Sequence, residues 1–235
     1  MDMLVISDSH ISPDRPTETY WHKLGEYVVK NKPEYIIHLG DVACLDSLAH
    51  FTSLRGDFTT DEELACVVKH LRAFEDKISS EQERNRCMKK KIYRPIKVLC
   101  LGNHDIRKDC TEIERVFKEH GWVVVPYLEP IQIQGITFCH CMPRRNSDTM
   151  CTTAEELLQT WHANIVVGHS HVQDYAESYN VSTGKLIRAI KCPCFTGWPP
   201  QYTGFGHLSW PLGWLEITVD PFEFTWRNIE CLWKW

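Results

Sequence analysis

The stretch Ile96–Asp105, IKVLCLGNHD, joins a run of strand-forming residues to a cluster of asparagine, histidine and aspartate. An apolar run that ends at a glycine is typical of a buried strand. Besides the strand at Ile96–Leu101, the same pattern predicts strands at Met3–Ile6, Tyr35–Leu39, Thr137–Cys139 and Ile165–Val167. Several of them end at a glycine or a polar cluster, where the loops of α/β sheets usually carry chemistry.

Segments with helical spacing lie between these strands. In Thr60–Lys91 apolar residues recur at that spacing, and Thr60 with Glu63 forms the pattern of a capping box, which indicates one long amphipathic helix or two helices. Thr152 and Glu155 repeat the capping pattern before another strand. Strands that alternate with helices predict a sheet with parallel strands and helices outside it.

The second half of the chain favours β structure. A hairpin is predicted in IQIQGITFCH, from Ile131 to His140, and a second strand pair flanks NVSTGK. Further strands are predicted in WLEITV and FEFTWRNIE near the end. Since no repeat, low-complexity segment or linker marks a boundary, we predict a single α/β domain over residues 1–235.

The composition is that of a globular protein. Of the 235 residues, 43% are hydrophobic and 24% are charged, and the formal net charge is −5. This charge argues against a protein that coats nucleic acid through charge alone, although a local basic patch or a bound metal can still attract phosphate.

The cysteines and the first residues predict a cytoplasmic protein. Eleven cysteines, an odd number in a chain of this size, favour reduced thiols over a disulfide scaffold. Strand-like residues begin directly after Met1, without the basic and long apolar segments of a secretory signal. No apolar run is long enough to cross a membrane, so we expect no membrane partner.

Polar clusters at five predicted strand ends suggest a metal centre. Asp8 and His10 are two residues apart in a segment predicted to be extended, so both side chains can point the same way, and His169 and His171 repeat this spacing. With Asp41, Asn103 and His140 the clusters offer seven oxygen or nitrogen donors. Seven donors suit two ions if one carboxylate bridges them, and we expect Asp41 to be that bridge.

The ordered motifs D-x-H, GD, GNHD, H and GHSH resemble those of the calcineurin-like metallophosphoesterase superfamily, in particular its short single-domain members in bacteria and phages. The resemblance implies a four-layer αββα sandwich. It also implies a first ion held by Asp8, His10, Asp41 and His171. A second ion would be held by Asp41, Asn103, His140 and His169.

The expected activity is hydrolysis of a phosphodiester, with a phosphomonoester as the alternative, by in-line attack of a metal-bridging hydroxide. Two divalent ions carry more positive charge than Asp8, Asp41 and a hydroxide remove, so the site attracts a phosphoester. Asn103 ligates without cancelling charge. Mn²⁺ is the expected ion, although histidine and carboxylate ligands also suit Fe, Zn and Ni.

His104 is the predicted proton shuttle, because a group with a pKa near neutrality can donate a proton to the leaving alkoxide. Asp105 or Asp46 could orient its ring, and Asp105 is included among the catalytic candidates. The protein phosphatases of this superfamily carry an acid and an arginine where this chain has Cys44 and Leu45. That difference argues against protein phosphatase activity.

Other residues are candidates for substrate binding. Arg144 and Arg145 follow His140 closely and could grip a phosphate, although a solvated surface role explains them equally well. In the segment Phe195–Trp214, rich in glycine, proline and aromatic residues, His207 could stack on a base, as could Trp198 or Tyr202. These aromatic residues could equally pack over the edge of the sheet.

Two further patterns have competing interpretations. The six basic residues between Arg84 and Arg94 form either a nucleic-acid track or, as we favour, a solvated helix end. The C-x-C pairs Cys139/Cys141 and Cys192/Cys194 could suggest a zinc cluster. They lack the C-x-x-C spacing of a zinc knuckle, so we favour ordinary reduced cysteines.

The alternative functions are a metal-dependent DNA or RNA nuclease and a non-catalytic protein-binding scaffold of the same fold. Retention of His104 and of all seven donors argues against the scaffold. The expected partner is a phosphoester substrate, with nucleotides and nucleic acid included.

Overall fold

The computed structural model describes residues 1–15, 17–49, 58–197 and 210–233, which form eleven strands and four α-helices. The strands are β1 Met3–Ile6, β2 Tyr35–His38, β3 Ile96–Cys100, β4 Val123–Val125, β5 Ile131–Ile133, β6 Ile136–Cys139, β7 Ile165–Val167, β8 Asp174–Asn180, β9 Lys185–Lys191, β10 Gly213–Thr218 and β11 Glu223–Asn228. The helices are α1 Glu18–Asn31, α2 Thr60–Cys87, α3 Glu112–Glu119 and α4 Ala154–Trp161.

The strands form two sheets. The first has six strands in the order β11-β10-β1-β2-β3-β4, and β1, β2, β3 and β4 pair in parallel. Helices connect β1 to β2 and β2 to β3, so the predicted parallel sheet is confirmed. The late strands β10 and β11 extend this sheet as an antiparallel pair beside β1.

The second sheet has five strands in the order β5-β6-β7-β9-β8. Both predicted hairpins are confirmed, because β5 pairs antiparallel with β6 and β8 pairs antiparallel with β9. Between the hairpins, β7 pairs in parallel with both β6 and β9. The carboxyl ends of β6 and β7 therefore lie at one edge of the sheet.

Alternation along the strands divides the interior into three cores and four layers. In β1, Met3 and Val5 pack toward the second sheet, whereas Leu4 and Ile6 pack against the helices outside the first sheet. A third core joins the outer face of the second sheet to α4. The order helix, sheet, sheet, helix confirms the predicted αββα sandwich.

Helix α2 resolves one of the open alternatives, since Thr60–Cys87 is a single helix. Its capping box lies one residue earlier than predicted, with Thr59 as N-cap and Glu62 as the reciprocal partner. Glu63 is buried instead, and its carboxylate accepts hydrogen bonds from the backbone N–H groups of Asp46 and Ser47 at 2.8 and 3.1 Å. Adjacent threonines and glutamates make both registers possible in the sequence, and this buried contact favours the observed one.

Helix α4 is also capped one residue away from the prediction. Its N-cap is Thr153, whose hydroxyl accepts from the backbone N–H of Glu156 at 3.1 Å. The predicted pair was Thr152 and Glu155. Glu156 also accepts from the N–H of Thr152 at 2.6 Å.

No helix within the described ranges is long and apolar enough to cross a membrane. All eleven cysteines lie in these ranges, and none of them forms a disulfide.

Candidate metal centre

The polar clusters follow five strands whose carboxyl ends face one another. Asp8 and His10 follow β1, Asp41 follows β2, Asn103 follows β3, His140 follows β6, and His169 and His171 follow β7. Backbone hydrogen bonds join neighbouring loops: the N–H of Asp8 donates to Gly40 at 2.9 Å, and the N–H of Gly168 donates to His140 at 2.9 Å. The fold therefore brings the predicted donors of both sheets together.

The backbone at these donors is left-handed rather than extended. The φ angles are 52° at Asp8, 45° at His10, 51° at Asp41, 67° at His169 and 56° at His171. Asp8 and His10 direct their side chains into the same site, as expected, but the expected reason, an extended backbone, is wrong. Each left-handed residue other than glycine costs about 1–2 kcal/mol. The packed fold around the loops must offset this strain.

The first group of donors contains Asp8, His10 and His171, all of them buried. The Nε2 atoms of His10 and His171 lie 3.0 Å apart, and Nε2 of His171 lies 3.1 Å from Oδ1 of Asp8. The other oxygen of Asp8, Oδ2, accepts from the backbone N–H of His169 at 2.9 Å. Oδ1 is thus directed into the site.

The second group is centred on Asp41, Asn103, His140 and His169. Nε2 of His140 lies 3.1 Å from Oδ1 of Asn103 and 3.2 Å from Nδ1 of His169. The carboxylate of Asp41 lies between the two groups, because its Oδ2 is 3.4 Å from Nε2 of His140 and 4.0 Å from Nε2 of His10. Its Oδ1 accepts from the backbone N–H of His104 at 2.9 Å.

This set of donors fits divalent metal ions. Nδ1 of His140 lies 2.6 Å from the carbonyl oxygen of Leu39, which can only accept, so the ring carries its proton on Nδ1 and presents the lone pair of Nε2 to the site. The converging atoms are lone-pair nitrogens and carboxylate oxygens, the donors that such ions prefer. These atoms lie close together and most of the residues that bear them are buried, so a cation there would offset their mutual repulsion.

Two glycines allow the loops to approach so closely. A Cβ atom on Gly102 would lie 2.2 Å from Oδ1 of Asp41, and a Cβ atom on Gly168 would lie 2.7 Å from Oδ2 of Asp8. A side chain at either position would therefore displace a carboxylate of the site.

The carboxylates are held in their charged form. Burial raises the pKa of Asp8, but the charge and hydrogen bond of His171 outweigh burial and leave the pKa below its usual range. The pKa of Asp41 is likewise lowered, since the charge of His140 outweighs burial. Both side chains therefore offer full negative charge to a cation.

The surroundings lower the pKa of some histidines of the site and raise the pKa of another. Burial, together with the neighbouring His104, lowers the pKa of His10 well below its usual value, and burial also lowers the pKa of His169. Burial alone would lower the pKa of His140 as well, but the Asp41 carboxylate raises it to about 9. A cation at Asp41 would therefore compete with a proton on His140.

His104 lies beside these groups with its ring edge-on to His10, the ring centroids being 4.8 Å apart. Its Nδ1 lies 3.0 Å from the carbonyl oxygen of Cys44, which fixes the proton on Nδ1. Its Nε2 lies 4.0 Å from Oδ2 of Asp41 and 3.2 Å from Nη2 of Arg107. The proposed proton-transfer atom thus faces the candidate metal centre.

The partner of the His104 ring at Nδ1 is a backbone carbonyl rather than a carboxylate of Asp105 or Asp46. The carboxylate of Asp105 accepts from the backbone N–H groups of Val42 and Gly102 at 2.9 and 2.8 Å. It thus joins the loops after β2 and β3, and burial with the charge of Asp41 raises its pKa to about 7. Asp46 lies 3.4 Å from Nη1 of Arg107.

Sequence reasoning missed two arginines near the site. Arg107 lies three residues after His104 and folds back on it through a turn, so its spacing was a usable signal. Arg15 is buried, and its Nη1 donates to the carbonyl oxygen of His10 at 3.0 Å, while its Nε and Nη2 atoms are buried without a hydrogen-bond partner among the described residues. Nothing in the sequence marks Arg15, because arginines are usually exposed.

Of the predicted substrate-binding residues, Arg144 and Arg145 lie in an exposed loop after β6. Arg144 forms an ion pair with Glu156 at 2.7 Å. His207 lies outside the described residues, as do Trp198 and Tyr202.

The structure also shows the surroundings of the basic residues at the end of α2 and of the C-x-C pairs. In the last turns of α2, Arg84 and Arg86 form ion pairs with Glu81 and Glu83. The thiols of Cys192 and Cys194 are directed to the carbonyl oxygens of Val5 and Pro211. Within the described ranges Cys141 is the only cysteine among the groups that could hold a metal, and it lies with His140 and His169.

Comparison with known proteins gives one informative match. A sequence model described as calcineurin-like phosphoesterase matches residues 1–189. No curated protein matches the chain. Among solved structures, 68 chains match. One of these, a crystal structure, is 12% identical and covers 97% of this chain and 98% of its own, with a TM-score of 0.38, a similarity too low to bear on function.

Proposed function

The chain belongs to the calcineurin-like phosphoesterase family, and on that basis we propose that it hydrolyses phosphodiesters with the help of two divalent ions. The family and the clustered histidines and aspartates support a metal-dependent phosphoesterase in general. The finer proposal is a dinuclear centre loaded with Mn²⁺, with Fe, Zn or Ni as alternatives. Phosphomonoesters are the alternative substrates.

The observation that carries this proposal is the position of Asp41 between two groups of donors. Two of the groups that could hold a metal contain Asp41, one with His10 and His104 and the other with Asp8 and His140. Because Oδ2 of Asp41 faces His10 on one side and His140 on the other, a single carboxylate can serve two ions. Two centres that share one ligand are the arrangement used for in-line displacement at phosphorus.

When bound, the ions would supply positive charge that attracts phosphoryl oxygens and yields a nucleophile from water at neutral pH. The chain supplies the rest. Asp8 and Asp41 remove only two of the four positive charges, and Asn103 adds an oxygen donor without a charge, so the site stays attractive to a phosphoester anion. His10, His140, His169 and His171 complete the ligand set in this proposal.

His104 is proposed as the general acid. Its ring is fixed by the Cys44 carbonyl, and its Nε2 faces the site, so a proton on that atom would reach the leaving oxygen of a bound ester. Asp105 has an indirect part in this proposal: it anchors the loop after β3, and with it His104, to the loop after β2.

The test is a substrate screen on protein reconstituted with Mn²⁺. Bis(p-nitrophenyl) phosphate and p-nitrophenyl phosphate separate diesters from monoesters, and cyclic nucleotides and oligonucleotides extend the range of leaving groups. We expect hydrolysis with the diester preferred and two ions per chain by elemental analysis. Protein that carries two ions and hydrolyses none of these compounds would refute the proposal.

A nuclease is the second candidate, and one observation favours it. Lys89, Lys90 and Lys91, just beyond the end of α2, are exposed, and no ion pair involves them within the described part of the chain. Exposed lysines in a row are suited to the backbone of a polynucleotide.

A further inference from the structure

The side chain of Arg107 is held at the edge of the candidate metal centre by one of its two terminal nitrogens. Nη1 donates to the carbonyl oxygens of Cys44 and Leu45 at 2.6 and 3.3 Å and lies 3.4 Å from Oδ1 of Asp46. Nη2 donates to Nε2 of His104 at 3.2 Å. The guanidinium is therefore anchored through Nη1, while Nη2 is directed toward the group that faces the site.

The contact with His104 places Nη2 at the rim of the site. Nδ1 of His104 donates to the Cys44 carbonyl, so Nε2 is the atom that accepts from Arg107. This Nε2 atom lies 4.0 Å from Oδ2 of Asp41, so Nη2 of Arg107 lies beside the candidate metal centre. A hydrogen bond from a guanidinium to an anionic oxygen is stronger than one to a ring nitrogen, so a phosphoryl oxygen in reach would be the better acceptor for Nη2.

A phosphoester oxygen can take the place of the His104 ring as the acceptor. An oxygen bound beside Nε2 of His104 would accept from Nη2 of Arg107, which now contacts that ring nitrogen. Arginine suits this role because it stays charged and its planar fork can hold one nitrogen fixed while it presents the other. The side chain is 24% exposed, which leaves it within reach of a ligand.

We propose that Arg107 is a substrate-contacting residue that donates from Nη2 to a phosphoryl oxygen of the bound ester beside His104. This inference rests on the proposed phosphoesterase function and adds a residue to its substrate site. It differs from a positioning role, in which Arg107 would act only by holding the His104 ring.

The experiment measures the binding of inorganic phosphate, the group shared by all the proposed substrates, by calorimetry on Mn²⁺-loaded protein. In Arg107→Gln the Kd for phosphate should rise about 10- to 100-fold, the size expected for one lost hydrogen bond to a charged group. Arg107→Lys, which keeps the charge but not the fork, should show a smaller rise. Arg115→Gln is the matched control, because Arg115 is exposed on α3 and pairs with Glu112 and Glu119.

A second comparison separates contact from positioning. If Arg107 touches the phosphate, Arg107→Gln still weakens phosphate binding in a His104→Ala background, by a factor that differs from the wild-type one because the two side chains are in contact. If it acts only through His104, the effect disappears in His104→Ala, and that result overturns the proposal. An unchanged Kd for phosphate in both Arg107 variants, with both ions retained, also overturns the proposal. If Arg107→Gln loses an ion, the Kd of Arg107→Lys is the one that tests the proposal.

Failure of the underlying function is recognised separately. Wild-type protein with two ions that hydrolyses no ester refutes the phosphoesterase proposal, whatever the variants do. Wild-type protein that is active, with variants that bind phosphate equally well, refutes only the role of Arg107.

Discussion

Replacement of His104 by alanine is the most direct test of the proposed chemistry. The ring contributes a proton donor that faces the site, but it stands outside the proposed ligand set, because its Nδ1 is bound to the Cys44 carbonyl and its Nε2 to Nη2 of Arg107. His104→Ala should therefore keep both ions and lose turnover.

The size of the loss follows from what the ring does. A positioned general acid contributes about 10²–10⁴-fold, or about 2.7–5.5 kcal/mol of transition-state stabilisation. The loss of the ring's hydrogen bond should cost the fold only about 1 kcal/mol. The Cys44 carbonyl keeps a donor, because Nη1 of Arg107 lies 2.6 Å from it. The effect on kcat should thus far exceed the effect on stability.

The assay compares two diesters that differ in their leaving group. An alkyl ester leaves as a poor alkoxide and should suffer the full loss, whereas a nitrophenyl ester leaves without a proton and should suffer much less. Ion content is measured on the same samples. His22→Ala is the control, since His22 is a partly exposed histidine on α1 that pairs with Glu26.

Two outcomes would contradict the assignment of His104. Loss of an ion in His104→Ala would make the residue a metal ligand. An equal slowing of both esters would make it a group that positions the phosphate rather than one that protonates the leaving group.

Three further predictions concern the ions, the surface and the fold. Asp41→Asn should lower the metal content below two ions per chain and weaken both sites, because the shared charge is lost; elemental analysis that still finds two tightly held ions would argue against a bridge. Changing Lys89, Lys90 and Lys91 to glutamine should weaken oligonucleotide binding and flatten its salt dependence while leaving a small diester unaffected, and equal kinetics on both substrates would indicate a solvated helix end. Burial lowers the pKa of His38 to about 3. The free energy of unfolding should therefore fall by up to about 1.4 kcal/mol per pH unit as the pH drops from about 6.5 to 3. Urea titrations should find a shallower fall in His38→Gln.

Much of the fold could be predicted because hydrophobic patterning determines it. The bounds of β1 and β7 agree with the predicted segments, and the alternation of Met3 and Val5 with Leu4 and Ile6 accounts for two of the cores. The helix caps were displaced by one residue, because neighbouring threonines offer two registers of similar local energy and only tertiary contacts choose between them.

Less of the local geometry of the site could be predicted. The types of the donor residues are visible in the sequence, but their left-handed backbone is not, because it results from packing between loops that are distant in the chain. The partner of His104 was also hidden, because it is a backbone carbonyl, which every residue possesses. The role of Arg15 was invisible for a similar reason: its burial depends on the surrounding fold.

The left-handed backbone at the donor residues lowers the stability of the fold, although the side chains there are the ones needed for metal binding. Glycine adopts φ values such as those at Asp8, His10 and His171 without strain, so a glycine at any of these positions would relieve the backbone while removing a proposed ligand. Selection for heat resistance in a chelating medium should therefore enrich glycine at these positions. The same selection with excess Mn²⁺ should retain the aspartate and histidines, because bound ions then add their own stabilisation. In the loops that carry Asp8, His10 and His171, thermal stability without metal favours glycine, whereas the proposed activity favours aspartate and histidine.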